Sequence, residues 1–330
     1  MMLTLPVIDV SPLLGNNEDE WKATAQTIGK ACKEVGFFYV TGHGVSETLQ
    51  LQLEELSHQF FKQDLAKKLE IKMAKGGRAW RGFFPVGQEL TSNIPDIKEG
   101  IYFGEELSES HPLVIQKTPL HGPNLFPTEL ESFKSVVLQY MNEVTRLGHA
   151  LMKGLSLSLG LPASYFNQHY TQNPLILFRI FHYPPTTATS ENTMQWGVGE
   201  HTDYGVLTIL KQDDNGGLQV KSKDTWIDAH PIPNTFVCNI GDMLERMTKG
   251  LYVSTPHRVK NISQKSRLSF PLFFDPNFFS EVLPLPIETQ ISSIQQQRWD
   301  NANVHEYQGT YGNYLMQKVS KVFPELKGEL

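Results

Sequence analysis

The sequence predicts a mixed, mainly β protein: an antiparallel sandwich or barrel with helices ahead of it and packed against it. Three observations carry that reading. Between about Leu175 and Phe274 the chain breaks into short β-branched and aromatic runs, "LILFRIFHY", "GVLTIL", "GLQV", "TFVCNIG", "HRVKNI" and "RLSFPLFF". Turn chemistry such as "DDNGG" and "PIPN" separates them, the pattern of an antiparallel β fold. Ahead of these runs, Phe133, Val137, Tyr140, Val144, Leu147 and Leu151 recur at helical spacing within 129–159, which predicts one long buttressing helix. The first 120 residues or so mix both signals.

Taken in order, "LPVIDVSPLL" reads as a short strand that turns at Pro12. A helix follows from about Asp19, with Trp21, Ala25, Ile28, Cys32 and Val35 on one apolar face and Gly36 closing it. "FFYVTGHG" is a strand and turn, and Leu49, Leu53, Leu56 and Phe60 mark a second amphipathic helix. The segment from Arg81 to Glu105, with Pro85 and Pro95, reads as an irregular loop, where binding residues concentrate. A last helix is expected around Tyr311 to Val322. Residues 1–120 are expected to pack on a core formed by 121–330 rather than to fold independently.

The 330-residue chain is 40% hydrophobic and 19% charged, with a net charge of −6, the profile of a globular protein with a large core. Mild acidity argues against a broad nucleic-acid or anionic-membrane surface, which needs clustered Lys and Arg. A small-molecule partner is the expectation. Cys32 and Cys238 fall in apolar patterns and read as core thiols, not a disulfide framework. "MMLTLPVIDV" lacks a basic region and a long apolar stretch, so no signal peptide is read there, and no apolar run is long enough to span a bilayer. The terminal Lys327 to Leu330 is only loosely similar to a retention signal, and a reducing cytoplasm is the expected location.

Chemistry concentrates in "GEHTDYGVLTIL", where His201 and Asp203 stand two apart. On a strand, residues i and i+2 share a face and address one point, although the pair also fits a polar turn leading into a buried strand. His257, in "YVSTPHRV", is the candidate third ligand. Two histidines and a carboxylate on a facial triangle leave three adjacent positions open, which suits non-haem Fe(II) binding a chelating cosubstrate and oxygen. Zinc favours a tetrahedral site with fewer open positions. Arg267 and Ser269 share the i, i+2 relation in "SRLSFPLFF". A guanidinium buried among Phe270, Phe273 and Phe274 needs a partner, either a structural carboxylate or that of a small ligand. His43, His58 and His230 read as surface or capping residues, and His182 as facing away from Tyr183. Asp213, Asp214 and Asp242 read as turn residues.

These pieces together resemble the isopenicillin N synthase-like family of Fe(II)/2-oxoglutarate dioxygenases over nearly the whole chain. The matching motifs are "GFFYVTGHGV", "HYPP", "HTDYGVLTIL", "QDDNGGLQV", "NIGDMLERMTKG", "STPHRV" and "RLSFPLFFDPNF". The resemblance implies a double-stranded β-helix, or jelly roll, with His201, Asp203 and His257 on iron. It also implies 2-oxoglutarate chelating the metal, its distal carboxylate on Arg267 and Ser269, and Tyr183 near the cosubstrate. The implied reaction couples loss of CO2 from 2-oxoglutarate, giving succinate, to oxidation of a substrate C–H bond by O2. Some relatives use the Arg-x-Ser pair for their own substrate, so a 2-oxoglutarate-independent oxidase that closes a ring or desaturates is the alternative. A jelly-roll binding protein with a decayed metal site is a third reading.

The loop "RGFFPVGQELTSNIPDIKEG" resembles that of ethylene-forming enzyme, a bacterial relative that binds arginine. That resemblance implies Glu89 and Thr91 at a guanidinium, Arg179 and Tyr204 at an amino-acid carboxylate, and Lys321 where that enzyme has another basic residue. A free amino acid such as arginine is the implied substrate.

Overall fold

The computed structural model describes residues 4–92, 94–185, 196–223, 225–260, 264–288 and 304–322. The chain begins with β1 (Val7–Asp9), α1 (Ser11–Leu14), α2 (Glu18–Glu34), β2 (Phe37–Thr41), α3 (Glu47–Phe61) and α4 (Leu65–Lys68). Next come β3 (Gly82–Phe84), β4 (Leu90–Thr91), β5 (Ile94–Pro95), β6 (Glu99–Gly104), α5 (Pro112–Ile115) and α6 (Phe133–Ser158). The strand-rich part holds β7 (Leu175–Tyr183), β8 (Val198–His201), β9 (Leu207–Gln212), β10 (Leu218–Ser222), β11 (Thr225–Asp228) and β12 (Phe236–Ile240). It ends with α7 (Asp242–Met247), β13 (His257–Val259), β14 (Arg267–Asp275) and α8 (Tyr311–Val322).

Two sheets make the core. The larger runs β1-β2-β12-β9-β14-β7-β6-β3 and the smaller β11-β10-β13-β8, while β4 and β5 form a separate hairpin. All pairings are antiparallel except β1 on β2, the geometry of a jelly-roll core. The region from Arg81 to Glu105 is more regular than its prolines and glycines suggest. Its "EGIYFG" run is β6, fully buried and paired with β7 inside the large sheet.

Helix ends follow local chemistry. Asn17 caps α2 by accepting from Asp19 N, with Glu18, Asp19 and Glu20 in the positive first turn. Ser46 caps α3 through Leu49 N. The long α6 buries its predicted stripe, Phe133, Val137, Tyr140, Val144, Leu147 and Leu151, and packs on α2, α3 and strands β9 and β14 of the large sheet. At Gly148 it comes so close that a Cβ would lie 2.3 Å from the Phe274 ring.

That approach assigns the two faces of β14 by its pleat. Leu268, Phe270, Leu272 and Phe274 are fully buried in the core, whereas Arg267, Ser269, Pro271, Phe273 and Asp275 line an interior cavity. The same alternation puts Leu177, Arg179, Phe181 and Tyr183 of β7 on that cavity. Among the described residues, no helix is long and apolar enough to cross a membrane. The terminal Lys327 to Leu330 lies outside the described residues.

Candidate active site

His201 ends β8, His257 begins β13, and antiparallel pairing sets them directly opposite one another. Their ring centroids are 4.2 Å apart. Each imidazole donates its Nδ1 proton to a backbone carbonyl, His201 to Gly199 at 2.8 Å and His257 to Thr255 at 3.2 Å. A carbonyl only accepts, so the proton sits on Nδ1 and Nε2 keeps its lone pair for a metal. Asp203 Oδ1 lies 3.9 Å from His201 Nε2 and 3.6 Å from His257 Nε2. Ligand atoms of all three lie within 4.8 Å of one another, close enough for one ion.

The route by which Asp203 arrives differs from the strand expectation. β8 stops at His201, and Asp203 lies in the turn before β9. The turn is fixed by Asp242 N donating to Asp203 O at 2.8 Å. Asp203 Oδ2 accepts from Thr208 Oγ1 at 2.5 Å and Asn239 Nδ2 at 2.7 Å, which leaves Oδ1 for the same ion as the two Nε2 atoms. Burial opposes the Asp203 charge, but both histidines and these two bonds outweigh it and hold the carboxyl below its ordinary value. Burial, aided by His201, pushes His257 down to about 4, so it is a neutral ligand at neutral pH.

Arg267 begins β14 opposite Tyr183, the last residue of β7, and its Cζ lies 4.7 Å from that ring. It is 1% exposed. Nε donates to Gly216 O, Nη2 reaches Gln212 Oε1 at 3.5 Å, and Nη1 has no hydrogen-bond partner among the described residues. The expected setting among Phe270, Phe273 and Phe274 is corrected by the pleat: Phe270 and Phe274 are core residues, and only Phe273 shares the cavity face. Ser269 Oγ lies 3.5 Å from Tyr183 Oη on that same face. A buried guanidinium with an unmet N–H lacks a carboxylate, so these residues fit a cosubstrate acid.

The cavity, of about 370 Å³, brings together the residues that the sequence offered for the metal, the cosubstrate and the substrate. His201, Asp203 and His257 line it with Arg267, Ser269 and Tyr183, and so do Glu89, Thr91, Arg179, Tyr204 and Lys321. Glu89 belongs to a buried network. Lys98 Nζ lies 3.2 Å from Glu89 Oε2 and 2.5 Å from Asp96 Oδ2, which also accepts from Thr91 Oγ1 at 2.8 Å. Burial pushes the Glu89 carboxyl up, with Lys98 opposing. Arg179 Cζ lies 3.4 Å from the Tyr102 ring, and burial together with the nearby Glu89 charge pushes the Tyr102 hydroxyl up while Arg179 opposes. Glu89, Tyr102 and Arg179 all line the cavity. Lys318 of α8 reaches over the Tyr204 ring at 5.6 Å.

Sequence reasoning missed Asn239, Thr208, Lys98, Asp96, Tyr102 and Asp275. Asn239 had a signal, being an amide inside the apolar run "TFVCNIG", and Lys98 and Asp96 sit in the loop that contains Glu89. His182 faces away from the cavity, stacked on Phe61 and 2.9 Å from Glu99, as alternation predicts. His43 is buried rather than at the surface, its Nδ1 accepting from Val45 N.

A two-sheet β fold with a His-Asp-His set on an interior cavity, beside a buried arginine with no carboxylate partner among the described residues, defines a non-haem Fe(II) oxygenase. The chain belongs to the 2OG-Fe(II) oxygenase superfamily, whose family model matches residues 169–276. A second model, "non-haem dioxygenase in morphine synthesis N-terminal", matches residues 5–129. A probable iron/ascorbate oxidoreductase of Dictyostelium discoideum is 50% identical over 99% of this chain and 96% of its own length. A homoarginine-6-hydroxylase of Arabidopsis thaliana is 38% identical over 98% of this chain and 90% of its own. A full-length Neurospora crassa protein, whose crystal structure is in complex with alpha-KG, superposes with a TM-score of 0.81 at 30% identity, covering 97% of this chain and 96% of that one. The protein is a non-haem dioxygenase that uses Fe(II), 2-oxoglutarate and O2. The 2-oxoglutarate-independent alternative is not favoured.

Proposed function

We propose that this enzyme hydroxylates a free α-amino acid with a guanidinium side chain, arginine or homoarginine. The balanced reaction takes substrate C–H, 2-oxoglutarate and O2 to substrate C–OH, succinate and CO2. Bound Fe(II) supplies the centre at which oxygen is activated against the 2-oxo acid. His201, Asp203 and His257 hold the metal, with Thr208 and Asn239 fixing which Asp203 oxygen is presented. Arg267 and Ser269 take the distal carboxylate of 2-oxoglutarate, and Tyr183 packs beneath the guanidinium.

One observation carries the substrate reading. The wall beside the metal site carries two carboxylates, Glu89 and Asp96, that share the ammonium of Lys98, with Asp96 the closer at 2.5 Å against 3.2 Å. Glu89 lines the cavity, and its Oε2, with Lys98 Nζ at 3.2 Å, keeps acceptor capacity for a cationic group from the substrate. Thr91 stands beside it, and Arg179 and Tyr204 are the matching contacts for the substrate carboxylate. The naming of similar plant enzymes as homoarginine-6-hydroxylases supports the same class. The test is succinate release across a panel of free amino acids. Arginine or homoarginine should stimulate it most, and Glu89→Gln should lower that stimulation by about 10- to 100-fold, the cost of a lost bond to a charged group. An unchanged response in Glu89→Gln would remove the guanidinium argument.

A further inference from the structure

An amino acid brings a third charge, its α-ammonium, which none of the roles above accommodates. We propose that Asp275 receives that ammonium, so that Arg179 and Asp275 together clamp the zwitterionic head while Glu89 takes the side chain; this rests on the amino-acid reading above.

Four observations support the assignment. Asp275 lines the cavity from the last position of β14, on the same pleat face as Phe273, and is 2% exposed. Its hydrogen bonds are both to neutral donors, Val206 N to Oδ1 at 3.1 Å and Tyr311 Oη to Oδ2 at 2.5 Å. A carboxylate has about four acceptor positions, so each oxygen retains one. Arg179 is near enough for the two charges to be felt, yet among the described residues no cation lies within ion-pair distance. A buried carboxyl facing a ligand cavity without a cation lacks its natural partner. Burial raises this carboxyl to about 7, the direction expected of a group whose counter-charge arrives with the ligand.

The position is also held rigidly. A Cβ on Gly205 would lie 1.6 Å from Asp275 Oδ1, so the carboxyl packs directly on the turn that carries Asp203. Tyr311 opens α8, and the helix reaches the same cavity through Lys318. A substrate head bound at Asp275 is thereby fixed relative to the metal ligands.

The experiment compares each amino acid with its analogue lacking only the α-amine: L-arginine with 5-guanidinopentanoate, and L-homoarginine with 6-guanidinohexanoate. KM and kcat come from succinate release with Fe(II) and 2-oxoglutarate. The unaltered enzyme should favour the amino acid by about 10- to 100-fold in kcat/KM, the worth of a bond between charged groups. Asp275→Asn should bring that ratio close to one by raising KM for the amino acid alone. If Asp275→Asn slows both compounds equally, Asp275 is only a brace for α8 and the assignment is wrong. If the ratio collapses in Glu89→Gln instead, the ammonium sits at Glu89 and the assignment is also wrong. If neither amino acid stimulates the unaltered enzyme, the substrate reading and this inference fall together.

Discussion

Arg267→Gln separates a ligand anchor from a structural charge. In a structural ion pair, losing one buried partner strands the other and costs about 3 to 5 kcal/mol. Among the described residues Arg267 has no such partner: it donates to Gly216 O and, at 3.5 Å, to Gln212 Oε1, and Nη1 is unmet. Losing two ordinary bonds costs about 1 kcal/mol each, while removing an unmet buried donor recovers about 1 to 3 kcal/mol. The two offset, so the melting temperature without cosubstrate should move by no more than roughly 5 °C. Cosubstrate binding should change far more. Truncating one side of a buried charge pair costs about 2 to 5 kcal/mol, and a middle value of about 3 corresponds to roughly 100-fold in Kd. The assay is anaerobic calorimetric titration of the Fe(II)-loaded protein with 2-oxoglutarate, alongside thermal melts of both proteins. Unchanged 2-oxoglutarate affinity, or a drop of roughly 10 °C without cosubstrate, would refute the reasoning.

Two further outcomes follow from buried charges elsewhere. Asn239→Ala removes one of the two side-chain donors to Asp203 Oδ2. Fe(II) affinity should fall about 10- to 100-fold by metal titration, and metal should be lost at a higher pH because Asp203 is then easier to protonate. Lys68→Met strands Glu99, whose oxygens meet Lys68 Nζ at 2.7 Å and His182 Nδ1 at 2.9 Å. Burial works against the Glu99 charge, but those partners hold the carboxyl below its ordinary value. Its contribution is therefore present at neutral pH and lost as pH falls through the lowered value. Denaturant unfolding should show a loss of about 3 kcal/mol at pH 7 that shrinks as pH falls below the ordinary carboxylate range. A gap that is constant with pH would contradict this.

Elements with strong periodicity were legible in the sequence, and contacts between distant segments were not. The stripe from Phe133 to Leu151 and the strands from Leu175 onward are as their patterns predict. Strand β6 escaped because "EGIYFG" is buried on both faces and shows no alternation. The metal triad was legible by residue type, but the strand argument for His201 and Asp203 was incomplete. Asp203 reaches the site through a turn that Asp242, Thr208 and Asn239 hold, and no local spacing encodes those long-range bonds. Tyr102 and Asp275 lay hidden for the same reason: their roles depend on which neighbours the sheet brings beside them.

The most direct test is a turnover balance under 18O2 with Fe(II), arginine or homoarginine, and 2-oxoglutarate present or omitted. The prediction is one succinate per hydroxylated amino acid, one 18O atom in each, and no product when 2-oxoglutarate is left out. Product formed without 2-oxoglutarate, or succinate release that neither amino acid stimulates, would contradict the account.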